Sequence, residues 1–270
     1  MSLLRNSHAG SVRTPYHGDV DTPLPQTTTL MKASHAAAFF DLDRTLVHGS
    51  SLLALGWPLY RAGFISAKAL LKGGLSQLIF AKRGTPTAQL DEIAQRIGGL
   101  FAGIDVAHLA TRMDGAVPQY VVPRLYKKSV AILREHQRRG DRVYIVSASP
   151  KEIVEPIARY LGVDGVIATV AEVKNGIYTG KVESYCHGPI KAARIREIAS
   201  LDNVDLSRSS AYSDGVSDLP MLEAVGHPVC INPDRPLRTV ARQRHWQIVK
   251  CDPPSRPISK RLPLRLITES

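Results

Sequence analysis

Cysteine, aromatic residues and long apolar runs are all scarce in this sequence, and each scarcity closes off a class of protein. The 270 residues hold three cysteines, Cys186, Cys230 and Cys251. They are too few and too scattered for a disulfide framework or a zinc site, which makes a reduced, cytoplasmic setting the expectation. Aromatic residues are only 6% of the chain, so its net charge of +11 comes without the interleaved rings that stack on bases. No specific nucleic-acid recognition is expected, although the basic balance still favours anionic ligands or surfaces. No apolar run approaches the roughly eighteen residues that a membrane-spanning helix needs. The nearest, residues 64–81, is interrupted by Lys68, Lys72 and the pair Gly73-Gly74. Residues 1–35 lack the apolar centre of a secretory signal. With Pro15, Pro23, Pro25 and the polar run Gln26-Thr27-Thr28-Thr29, they read as a flexible leader.

What is present is a globular composition, 44% hydrophobic and 22% charged, enough for one large or two modest domains. The chain is organised around Phe39-Phe40-Asp41-Leu42-Asp43-Arg44-Thr45-Leu46. Residues 36–40 read as a short buried strand, so Asp41 and Asp43 emerge at a strand's carboxyl end, the edge at which parallel sheets bind ligands. Adjacent carboxylates repel each other unless a cation lies between them or one is protonated. Asp-x-Asp also opens a calcium loop, but that loop needs Gly and Glu where this chain has Leu46 and Leu52. A plain solvated turn is the bland alternative, so the pair needs company elsewhere in the chain.

From about residue 50 to 128 the periodicity is helical. Leu52, Leu55, Leu59, Leu70, Leu71, Leu75, Leu78 and Ile79 recur at helical spacings, and Thr85-Pro86 reads as a further helix start with Leu90, Ile93, Ile97, Leu100 and Phe101 on one face. Basic side chains such as Arg61, Lys68, Lys72, Lys82 and Arg83 outnumber acidic ones here. A cap over an anionic substrate is the simpler account; peripheral membrane contact through this segment or the basic tail is the alternative.

The sheet pattern then resumes. A strand over residues 143–146 ends in Ser147-Ala148-Ser149-Pro150, where Ser149 and Glu152 predict a capping box and leave Ser147 facing an anion site. A hairpin is predicted at Lys174-Asn175-Gly176. Gly188-Pro189 opens a helix with Lys191 in its first turn, where a cation opposes the helix dipole unless an anion is near. A second acidic cluster, Ser213-Asp214-Gly215-Val216-Ser217-Asp218, follows another strand, with Asp218 predicted as a helix N-cap. A last strand covers residues 229–231, and the stretch from Cys251 onward reads as a basic, disordered tail.

In this order the motifs resemble the haloacid dehalogenase superfamily of phosphohydrolases, and within it the phosphoserine-phosphatase-like branch with a helical cap. The likeness covers about residues 36–235. It implies an α/β fold: a Rossmann-like parallel-sheet core over residues 36–49 and 129–250, an inserted all-helical cap over 50–128, a leader over 1–35 and a tail over 251–270. It implies Asp41 as the nucleophile forming an aspartyl phosphate and Asp43 as general acid and then base. It further implies Thr45 and Ser147 as phosphoryl-binding residues and Lys191 as the charge-offsetting lysine. Mg²⁺ would be held by Asp41, the main-chain carbonyl of Asp43 and Asp214, with Asp218 in support.

Four departures from phosphoserine phosphatases stand beside this likeness. Ser50 occupies the place of a substrate-recognising Glu, Ala148-Ser149 that of Gly-Gly, Ser217 that of Asn, and Arg44 sits between the catalytic motif's second aspartate and Thr45. They leave the phosphoryl machinery intact and point to a phosphatase acting on a small-molecule phosphate ester with a different leaving group, and the leucines, Trp57 and basic residues of the expected cap suit an amphipathic one. A phosphotransferase or mutase, or a non-catalytic phosphate-binding module, are the rival readings.

Overall fold

The computed structural model describes residues 34–66, 98–99 and 101–255. The expected leader, the Thr85-Pro86 helix start and most of the expected tail lie outside these residues. Seven strands form one sheet, in the order β4-β3-β2-β1-β5-β6-β7. They are β1 (Ala37–Asp41), β2 (Arg142–Pro150), β3 (Gly165–Lys174), β4 (Ile177–Ser184), β5 (Ser210–Ser213), β6 (His227–Ile231) and β7 (Gln247–Val249). All neighbours are parallel except β3 and β4, the predicted hairpin, whose turn residues Asn175 and Gly176 both take positive φ. The α/β parallel-sheet reading therefore holds.

β1 is central because the chain leaves it toward β2 on one side and returns to β5 on the other. That reversal opens a crevice at the carboxyl ends of the strands. β1 is buried throughout, and its side chains alternate between two cores. Ala38 and Phe40 face one with Tyr212, Val143 and Ile145, while Ala37 and Phe39 face the other with Tyr144, Val146 and Ile195. Phe40 stacks on Tyr212 and Phe39 on Tyr144, which locks β1 to both neighbours.

Between β1 and β2 lie α1 (Ser51–Arg61), α2 (Val106–Tyr120) and α3 (Lys127–Arg139). Ser50 caps α1 and Asp105 caps α2; Gly140, in the left-handed region, stops α3. Leu109, Met113, Ala116 and Val117 form the buried stripe of α2. The remaining helices cover the two sheet faces: α4 (Lys151–Leu161), α5 (Pro189–Leu201), the short α6 (Leu219–Leu222) and α7 (Arg235–Gln243). On α3, buried His136 joins Asp141 to the Tyr212 hydroxyl at 2.7 and 2.6 Å, and burial holds its imidazole below the ordinary pKa.

Within the expected core, which runs to residue 250, stand two elements that the sequence reading did not name. Helix α7 and strand β7 follow Asp234, and Cys251, expected to open a disordered tail, is buried. Its N–H donates to Asn232 Oδ1 and its carbonyl accepts from Asn232 Nδ2, both at 2.9 Å. The β7 segment is only three residues long, too short to show a period of two.

Gly226 lies against the main chain at Ser207, where an added Cβ would stand 1.8 Å from the carbonyl oxygen. Replacing Gly226→Ala is expected to cost roughly 3 kcal/mol in denaturant unfolding, since main chain cannot step aside as a side chain can. Gly115→Ala, on the exposed face of α2 with nothing within 4 Å of the new Cβ, is expected to gain about 0.5–1 kcal/mol.

Candidate active site

Three strand ends deliver the acidic and hydroxyl groups to one edge. β1 ends at Asp41, which lies opposite Val146 of β2, one residue short of Ser147. β5 ends at Ser213, so Asp214 leaves the sheet beside Asp41. Helix α5 brings Lys191 in its first turn, after the Gly188-Pro189 entry. Its ammonium donates to Asp41 Oδ1 at 2.6 Å and to Asp218 Oδ2 at 2.9 Å, with all three side chains buried. These two carboxylates are the anions that offset a lysine placed against the helix dipole.

The remaining candidates close around this pair. Arg44 Nε meets Asp214 Oδ2 at 3.0 Å, and the Thr45 hydroxyl lies 3.4 Å from Asp214 Oδ1. Arg44 adopts φ 65°, an uncommon conformation for a long side chain, in the tight turn where Leu46 and Val47 N–H groups both donate to the Leu42 carbonyl. Ser147 is 2% exposed, and its Oγ accepts from the Ser149 N–H at 3.1 Å. Asp43 is half-buried; its Oδ1 accepts from the Ser51 N–H at 2.7 Å and its Oδ2 from Ser149 Oγ at 3.0 Å.

Two local expectations are corrected. Ser149 does not cap α4: β2 runs on to Pro150, which takes the cap position without a side-chain bond, and the Ser149 hydroxyl is committed to Asp43. Asp218 stands at the start of α6 but makes no capping bond either. Its carboxylate is held instead by Lys191 and by the Ser213 hydroxyl at 2.7 Å. At Asp218 the charged Lys191 outcompetes a neutral main-chain N–H, whereas at Ser149 the strand's continuation moves the cap position on to Pro150.

Electrostatically the site is over-supplied with negative charge. Among the described residues Asp41, Asp43, Asp214 and Asp218 face the cations Lys191 and Arg44, an excess equal to one divalent ion when all are charged. Burial pushes Asp41 up to about 7, against the pull of Lys191 and with a push from Asp218. Burial also pushes Asp214 up to about 8, with repulsion from Asp41 added and Arg44 opposing it. Burial by itself would lower Lys191, but Asp218 and Asp41 outweigh it and hold the ammonium above its ordinary value. Among the described residues no group of three carboxylate, imidazole or thiol side chains is placed to hold a metal ion.

Residues that the sequence reading did not assign complete the arrangement. Ser213, Ser149 and Ser51 bond the key carboxylates, and Asp234 fastens the loop after Asp214 by accepting from Val216 and Leu237 N–H groups at 3.1 and 2.8 Å. Serines carry no periodic signal, and their partners lie across the fold. Only the positions of Ser149 and Ser213 at strand ends beside the aspartates could have flagged them.

The haloacid dehalogenase-like hydrolase family matches residues 38–223. A probable phosphatase of Mycobacterium tuberculosis is 40% identical over 228 residues, covering 84% of this chain and 78% of the relative. A phosphoserine phosphatase of the same organism is 32% identical, covering 91% and 88% respectively. Among solved structures, a protein with unknown function from Bordetella pertussis Tohama I superposes with TM-score 0.69 at 31% identity, over 80% of this chain and 99% of the other.

Removing the Lys191 ammonium strands two buried carboxylates, so Lys191→Met is expected to cost about 3 kcal/mol at pH 8, measured by urea unfolding in chelator. The cost shrinks as pH falls toward 5. Asp41 already titrates near 7 with the lysine present and climbs further without it, so at low pH it is folded as the neutral acid and needs no partner.

Proposed function

The chain belongs to the haloacid dehalogenase-like hydrolases, and from that premise we propose that it is a Mg²⁺-dependent phosphomonoesterase working through an aspartyl phosphate on Asp41. The observation that carries this reading is the buried Asp41–Lys191–Asp218 bridge at the carboxyl edge of the central strand, with Asp43 two residues on in a separate hydrogen-bonded setting.

The donor set suits a hard cation. It offers oxygen ligands only, and its excess negative charge is that of one divalent ion. Asp41, Asp214 and the main-chain carbonyl of Asp43 would hold Mg²⁺, with Asp218 in support; such an ion keeps waters and substrate oxygens in its shell and does not require three protein side chains. When bound, Mg²⁺ supplies positive charge to the phosphoryl oxygens and permits both carboxylates to remain ionised.

An oxygen of Asp41 attacks phosphorus in line with the ester bond. As the bond from phosphorus to the leaving oxygen breaks, Asp43 gives its proton to that oxygen. In the second displacement Asp43 takes a proton from water, the water oxygen attacks phosphorus, and the bond to Asp41 breaks to release inorganic phosphate. Lys191 holds Asp41 on the line of attack and offsets charge gathering on the phosphoryl group, while Thr45 and Ser147 supply hydroxyl donors to it.

Helices α1 and α2 serve as parts of the cap that chooses the ester. Helix α1, whose first N–H already bonds Asp43, exposes Leu53, Trp57 and Tyr60 on one face, with the two rings 5.6 Å apart. That face supports an amphipathic leaving group, and Ser50, where phosphoserine phosphatases carry Glu, provides no charge for an amino group. No described helix is long and apolar enough to cross a membrane.

Phosphate release from a panel of esters tests the reading. Turnover is expected with Mg²⁺ and not with chelator. Asp41→Asn is expected to abolish it, and Asp43→Asn to lower it by roughly 10²–10⁴-fold. Long-chain alkyl phosphates are expected to surpass phosphoserine in kcat/KM; the reverse order would reject the amphipathic assignment while leaving the chemistry in place.

A further inference from the structure

Asp41 and Asp43 are separated by one residue but are held by different means. Asp41 meets an ammonium, whereas Asp43 has no ion pair among the described residues and is gripped by one main-chain N–H and one hydroxyl. The hydroxyl belongs to Ser149, 8% exposed, and it also lies 3.4 Å from the hydroxyl of Ser51, which is fully buried.

A distortion of the sheet puts Ser149 there. The register between β2 and β3 breaks between Val146 and Pro150. Thr169 Oγ1 on β3 donates to the Ala148 carbonyl at 2.8 Å, and the Ser149 N–H donates to Ser147 Oγ at 3.1 Å. A bulge of this kind re-aims a side chain that the regular pleat would send elsewhere. Here it turns Ser149 toward Asp43.

We infer that Ser149 is a positioning residue, which sets the orientation from which the Asp43 carboxyl group reaches the leaving oxygen of the ester. The inference rests on the phosphatase reading and adds to it a residue that acts only through Asp43. The Ser51 N–H fixes one oxygen but leaves the carboxyl plane free to rotate about that single bond; a second bond at Oδ2 removes the rotation. A hydroxyl suits this place because it can donate to a carboxylate or accept from a carboxylic acid, and Ser51 Oγ can take the other end of either arrangement. Glycine or alanine at 149 would leave Oδ2 without that partner. The step served is proton delivery: the bond from phosphorus to the leaving oxygen breaks, and the proton on Asp43 passes to that oxygen.

The leaving group provides the test. An alkoxide needs the proton to depart, whereas 4-nitrophenolate departs without it, and kcat/KM reports the steps through departure. For Ser149→Ala, the ratio of kcat/KM on glycerol phosphate to that on 4-nitrophenyl phosphate is expected to fall about tenfold, with KM for glycerol phosphate changed by less than about twofold. Ser149→Thr, which keeps the hydroxyl, is expected to restore the ratio, and Ser149→Gly provides the same deletion with a smaller side chain. In an Asp43→Asn background, Ser149→Ala is expected to remove nothing more, because its only route of action is already gone. An unchanged ratio, or a further loss in that background, would overturn the inference while the wild-type protein still hydrolyses both esters. A folded wild-type protein inert toward both with Mg²⁺ present would instead overturn the phosphatase reading on which it stands.

Discussion

A buried ammonium between two buried carboxylates is the constraint on which the site depends. Lys191 and its partners Asp41 and Asp218 would each be expensive to desolvate alone. The fold brings them together from three separate stretches of chain. Asp41 must end the central strand, Lys191 must open α5 and Asp218 must follow β5, so strand order and helix entry are tied to one charge cluster. Two apolar cores, one on each face of β1, hold the strand rigidly enough for that cluster to keep its geometry.

The same turn of chain gives two aspartates opposed environments. Asp41 is sealed beside a cation and pressed by other carboxylates, conditions suited to a group that stays oriented and reacts at phosphorus. Asp43 sits half-exposed at the start of α1, within reach of solvent and held by groups that carry no full charge. The proposed double displacement requires a nucleophile and an acid held apart in this way, and a proton-transfer group is easier to cycle when no fixed cation favours one form. Because α1 also exposes Leu53, Trp57 and Tyr60, the helix that bonds Asp43 is the one that would meet the leaving group in the proposed reaction.

Much of this was legible before any coordinates. Asp41, Asp214 and Lys191 sit at element ends marked by short buried strands, Gly215 and the Gly188-Pro189 pair, and these local signals carry the parallel sheet with them. The misfit of a lysine in a helix's first turn suggested a phosphate partner, and the anions the structure places beside it are Asp41 and Asp218. What the sequence could not disclose was competition between partners. Ser149 and Asp218 both have ordinary capping patterns, and only the folded arrangement shows distant charged groups taking their side chains. Helix α7 escaped because its apolar content is low, Leu237 and Ala241 being its buried residues, and strand β7 because three residues are too few to show a period.

The central claim is that Asp41 becomes covalently phosphorylated, and the most direct measurement is mass spectrometry of acid-quenched protein after brief exposure to a hydrolysable ester with Mg²⁺. The account predicts a phosphoryl adduct on the peptide containing Asp41. The adduct should accumulate when Asp43→Asn slows its hydrolysis and be absent from Asp41→Asn. Turnover with no adduct under either condition, or an adduct on another residue, would contradict it.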